Sequence, residues 1–165
     1  MTEQITNLEN ALRRELQQYA EMVALLERQQ QQIGARQADE VFQSIAPVKR
    51  QGLLIRQARQ HREECRAQLA QSLQQAKGSS LAALISLLPA ESQDVLSSLV
   101  RQNNDLLLRV RQRARQNHLR LSRSIELIQG LINSIFPSRV SRTYNGRGTM
   151  KFGRIAPRSF YEATG

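Results

Sequence analysis

Residues 89–136 read PAESQDVLSSLVRQNNDLLLRVRQRARQNHLRLSRSIELIQGLINSIF, and this stretch decides the fold. Val100, Leu107, Ala114, Leu121, Ile128 and Ile135 recur every seventh residue, and Leu96, Asn103, Val110, Asn117, Ser124 and Leu131 form a second seven-residue series between them. That pattern is an a/d heptad seam on one helix. Pro89 suits a first helical position, Glu91 and Asp94 lie where the positive end of the helix dipole favours acids, and Pro137 ends the run. At 1.5 Å per residue such a helix is about 70 Å long, so it must lie along other long helices.

Outward from this segment the spacing predicts two more long helices. Ile5, Leu8, Leu12, Leu16, Tyr19, Met22, Val23 and Leu26 give an amphipathic helix over about 4–32, in which Gln29 to Gln32 extend a solvated face. Gly34 offers a C-terminal cap and Asp39 an N-terminal cap for the next helix. That helix, about 39–76, is read from Val41, Ile45, Val48, Gly52, Ile55, Leu69 and Leu73, with a kink or short break expected at Pro47. Its later surface, Arg56 to Arg66, reads as a solvated face of pairing charges. Ser79 or Ser80 can cap a short helix, 81–88. The fold class is therefore all-α: an elongated antiparallel helical bundle or coiled coil of three long helices plus one short one. Residues 1–136 form the bundle domain and 137–165 a flexible C-terminal tail.

Composition narrows the function. Aromatic residues are 4%, Trp is absent, and Leu, Ala, Gln, Glu and Arg dominate. No apolar stretch is long enough to cross a bilayer, so no membrane insertion is expected and the localisation reads as cytoplasmic. Cys65 is the lone cysteine and reads as a small core hydrophobe. His61 and Cys65 are four apart, but two ligands without a matching pair do not make a metal site, and His118 stands apart in sequence. No nucleophile elbow, phosphate loop or carboxylate pair is present, so no catalytic residue, metal or cofactor is expected.

The net charge of +10 needs its distribution read. The tail holds Arg139, Arg142, Arg147, Lys151, Arg154 and Arg158 against Glu162, half of the net charge. Arg109, Arg111, Arg113, Arg115, Arg120 and Arg123 surround the long helix instead of forming one stripe, which disfavours nucleic acid as a partner. Two features point to protein partners. The end of the last helix is apolar on more than one face, at Ile125, Leu127, Ile128, Leu131, Ile132, Ile135 and Phe136, where the long helix should overhang its neighbours. The tail adds Tyr144, Phe152, Phe160 and Tyr161 among its arginines. The alternatives are a basic helical nucleic-acid-binding protein and a structural coiled-coil oligomer. Self-association in the absence of a partner stays open.

Three motifs carry a resemblance. Val48-Lys49-Arg50-Gln51-Gly52-Leu53-Leu54 is a lysine followed by paired leucines. Arg101 to Leu108, RQNNDLLL, is an asparagine-then-leucine block, and Thr143-Tyr144-Asn145-Gly146-Arg147-Gly148 is a tyrosine-glycine element after the last helix. In this order they resemble the FlgN-like flagellar export chaperones. The resemblance implies a cytoplasmic chaperone that holds the C-terminal helical segments of hook-associated junction proteins, prevents their premature assembly and delivers them to the type III export gate. It implies cargo binding at the apolar end of the last helix, where a helix-in-groove contact would use Leu121, Ile125, Ile128, Ile132 and Phe136, and a gate contact at Tyr144.

Overall fold

The computed structural model describes residues 1–135, and these are helical almost throughout. Four helices follow in order: α1 (Thr2–Gly34), α2 (Ala38–Ser72), α3 (Leu81–Ile85) and α4 (Ala90–Ile135). The all-α class and the long packed helices are as the spacing requires. The chain divides into two compact units, Met1–Ser124 and Ile125–Gly165, so α4 contributes to both.

The helix ends follow local chemistry, with some departures from expectation. Gly34 is still helical, and the left-handed residue that turns the chain is Arg36, at φ 57°. Asp39 lies inside the first turn of α2, whose N-cap position is Gln37; there Asp39 and Glu40 meet the positive end of the helix dipole. Pro47 sits inside α2 without interrupting it. The missing N–H costs one backbone bond, which the flanking turns of a 35-residue helix absorb. α2 ends at Ser72, short of Ala76, because Gln74 adopts a left-handed φ of 53°. Ser80 caps α3 by accepting from the Ala83 N–H at 3.2 Å.

Within the first unit, the directions of the helices are fixed by polar contacts. Gln51 of α2 donates to the Gln18 carbonyl (3.0 Å) and to its side chain (2.9 Å), while Gln29 donates to Ser44 (2.9 Å). Later residues of α1 meet earlier residues of α2, so the pair is antiparallel. α4 behaves oppositely. Asn103 Nδ2 donates to the Leu12 carbonyl at 3.0 Å and Asn117 Nδ2 to the Leu26 carbonyl at 2.8 Å. Both partners advance by two heptads, so α4 runs parallel to α1 in a single register.

The core of this unit is sorted by chemistry along its length. Leu8, Ala11, Leu12, Cys65, Leu69, Ala70, Leu84, Ile85, Leu88, Leu96 and Leu99 form one dry cluster where α3 joins the long helices. Cys65 is thus a core side chain, and burial raises its thiol pKa. Farther along α1 the buried set becomes mixed. Glu15 is buried, accepts the Tyr19 hydroxyl at 2.8 Å and pairs with Arg62 at 3.2 Å and Arg59 at 4.0 Å. The arginines that the sequence assigns to a solvated face thus reach across to α1. Gln29, expected on a solvated face, is buried and bridges three helices, since it donates to Ser44 of α2 and accepts from Asn117 of α4 at 3.1 Å.

The buried asparagines tie α4 to α1 at a modest gain in stability. A helix carbonyl keeps a second lone pair after its own helical bond, so each Asn finds an acceptor without breaking α1. Asn103→Ala and Asn117→Ala should each cost about 1 kcal/mol in urea unfolding. Being about 21 Å apart along the helix, they should add in the double variant.

Tyr19 gives a pH signature. Burial, the hydrogen bond to Glu15 and the charge of Glu15 push its phenol up to about 12 from 10.0. Below pH 10 the phenol is neutral in both states and its contribution is complete. Between pH 10 and 12 only the unfolded chain releases the proton, so stability should fall by up to about 1.4 kcal/mol per pH unit. Tyr19→Phe should lack that slope when urea midpoints are compared at pH 9 and 11.

Candidate functional site

A helix that packs on one side only should bury one stripe of apolar residues, and α4 does so only in its first half. Leu96, Leu99, Asn103 and Asn117 are buried; Leu106, Leu107, Val110 and Leu121 are half-buried; Ala114 is exposed. The a/d seam of the sequence is therefore tight at its start and loosens along the first unit. Ser124, the next member of its series, is exposed and bonds back to the Arg120 carbonyl in its own helix.

In the second unit, Ile125, Leu127, Ile128, Leu131 and Ile132 are all exposed, between 51% and 75%. Glu126 is the one charged residue from Ile125 to Ser134, so nothing in this segment opposes burial against a partner. Five exposed aliphatic side chains in eight residues is more than scattered surface apolarity. Complete burial of one such side chain is worth about 1.5–3 kcal/mol.

The structure places the expected site residues as follows. Ile125, Ile128 and Ile132 belong to this exposed segment of the second unit, joined there by Leu127 and Leu131. Leu121 is half-buried at the end of the first unit. Phe136 and Tyr144 lie outside the described residues. Among the described residues, no group of three or more His, Cys, Asp or Glu side chains is placed to hold a metal ion, and no helix is long and apolar enough to cross a membrane. Cys65 Sγ and His61 Nε2 are 3.8 Å apart, on the turn where Cys65 enters the dry core.

One exposed surface is not anticipated by the helical spacing. On α2, Phe42 is 76% exposed, Ile45 44% and Leu53 50%, with Leu54 beside them. Ile45 belongs to the stripe read as the packing face of α2, yet it faces water, because Ser44 and Gln51 turn a neighbouring face toward α1. The available signal was Phe42, Leu53 and Leu54 themselves, three large apolar residues outside the stripe.

An all-helical chain with a dry core gathered at α3 and an α4 end that presents exposed aliphatic side chains is the class of protein this fold defines. A comparison with protein families gives that class a name: the model of the FlgN protein family matches residues 1–151. The chain belongs to the FlgN family, whose members are chaperones of flagellar assembly and export. No curated protein and no solved structure gives a significant match.

Proposed function

We propose that the chain is a cytoplasmic export chaperone for hook-associated proteins. It holds their C-terminal helices on the exposed aliphatic segment of α4, prevents premature assembly and hands the cargo to the export gate. The observation that carries this reading is the run from Ile125 to Ile132, which no described residue covers. An amphipathic cargo helix laid along Ile125, Ile128 and Ile132, with Leu121 and Phe136 extending the contact at either end, buries its own apolar face in the same step. Capture and shielding are then one event, since the cargo surface that would drive assembly is the surface held.

Delivery is assigned to a different residue. The family resemblance points to Tyr144, beyond the aliphatic segment, as the gate contact. Separate residues for cargo and gate let the chaperone engage the export apparatus while loaded.

Calorimetry with peptides from the C-terminal helices of hook-associated proteins tests the reading at two salt concentrations. Tight binding that changes little with salt, with a negative heat-capacity change, is the expected result. Ile128→Asp should abolish binding and leave thermal unfolding unchanged, because Ile128 is exposed in the free chain. Tyr144→Ala should bind cargo normally and fail in delivery, read as secretion of the cargo by cells. Binding lost equally in both variants contradicts the division of labour. Binding to nucleic acid that falls steeply with salt, without peptide binding, contradicts the reading as a whole.

A further inference from the structure

Ion pairing on α2 changes character partway along the helix. In its second half, Arg59 and Arg62 pair with Glu15, and Arg62 and Arg66 pair with Glu63. Before Arg59, Lys49, Arg50 and Arg56 form no ion pair among the described residues. The same stretch carries the exposed Phe42, Ile45 and Leu53. At 3.6 residues per turn, Phe42, Ile45, Lys49, Leu53 and Arg56 fall within a sector of about 80°, on the side of α2 turned away from Ser44, Gln51 and Leu69. Those three residues mark the side of α2 that meets α1 or the dry core. Three apolar and two cationic side chains therefore share one open face over about four turns.

We infer that this face of α2 is a second docking surface, and that its occupant is an acidic amphipathic helix of another protein. Three apolar side chains supply the contact area. Lys49 and Arg56, interleaved with them, select a helix whose apolar stripe is bordered by Glu or Asp. A second copy of this chain fits poorly, because pairing the face with itself sets Lys49 and Arg56 against their own kind. The surface lies wholly in the first unit and shares no residue with the cargo segment, so a partner here can be bound while cargo is held.

The test uses the full chain carrying Ile128→Asp, so that the cargo segment does not compete. The probe is a fluorescent 18-residue amphipathic peptide with a Leu stripe bordered by Glu, followed by anisotropy. Companion peptides replace Glu with Lys, or Leu with Ser. The Glu-bordered peptide should bind and the companions should not. Phe42→Ser with Leu53→Ser should weaken binding at least tenfold, and Lys49→Glu with Arg56→Glu should reverse the preference toward the Lys-bordered peptide. All four positions are exposed on α2, so the variants should melt with the parent, and the charge reversal gives a gain of binding that misfolding does not imitate. Unchanged affinity in both double variants overturns the inference. So does a loss of self-association in the serine variant, which identifies a second copy as the occupant. Binding to phosphatidylglycerol vesicles that depends on these residues, without peptide binding, overturns it in favour of a lipid surface.

Discussion

Two side-chain amides hold the longest helix of this protein in place. Asn103 and Asn117 each donate to a main-chain carbonyl of α1, at Leu12 and Leu26, and both pairs are offset by the same number of residues. Leucine at these positions would bury more apolar surface. A buried amide needs acceptors, and both find one on the α1 backbone, Asn103 also using the Leu99 carbonyl of its own helix. The seam between α1 and α4 thus combines two matched amide contacts with limited apolar burial.

The rest of the arrangement follows from where apolar burial is concentrated. The dry cluster around Leu84, Leu88, Leu96 and Leu99 closes one end of the first unit, with α3 packed in as a plug. Away from it the helices are held by Glu15 with its arginines, by Gln51 on Gln18, and by the bridge from Ser44 through Gln29 to Asn117. These polar contacts fix direction and contribute about 1 kcal/mol each. Other aliphatic residues lie outside the dry cluster: Met22, Val23 and Leu26 are buried farther along α1, whereas Ile45, Leu53 and Leu54 of α2 and Ile125 to Ile132 of α4 are exposed. An α4 stretch of six arginines without an acid, from Arg109 to Arg123, is only partly neutralised, since Arg109 and Arg113 share Glu27 of α1.

Much of this is legible in the sequence, and the exceptions share a cause. The heptad run from Leu96 to Ile135 reveals the long helix, and the excess of aliphatic residues after Leu121 reveals the exposed segment, because both are properties of one helix read alone. The buried roles of Glu15 and Gln29 are not legible in that way. A Glu or Gln in a helix reads as solvated until a partner on another helix is known, and here the partners are Arg62, Ser44 and Asn117. Asn103 and Asn117 stand out as polar residues in an apolar series, but only the packed structure shows that their acceptors are backbone atoms. The exposure of Ile45 and Phe42 has the same origin: α2 carries apolar residues around much of its circumference, and the face that packs is chosen by Gln51 and Leu69.

Hydrogen exchange along α4 tests the central claim most directly, measured on the free chain and on its complex with a hook-associated C-terminal peptide. The amides from Leu96 to Asn117 should be protected in both states. Those from Ile125 to Ile132 should exchange quickly in the free chain, where their side chains gain little from packing, and slow markedly in the complex. Equal protection along the whole of α4 in the free chain, or slowing on binding confined to residues before Leu121, would contradict capture of cargo by the exposed segment.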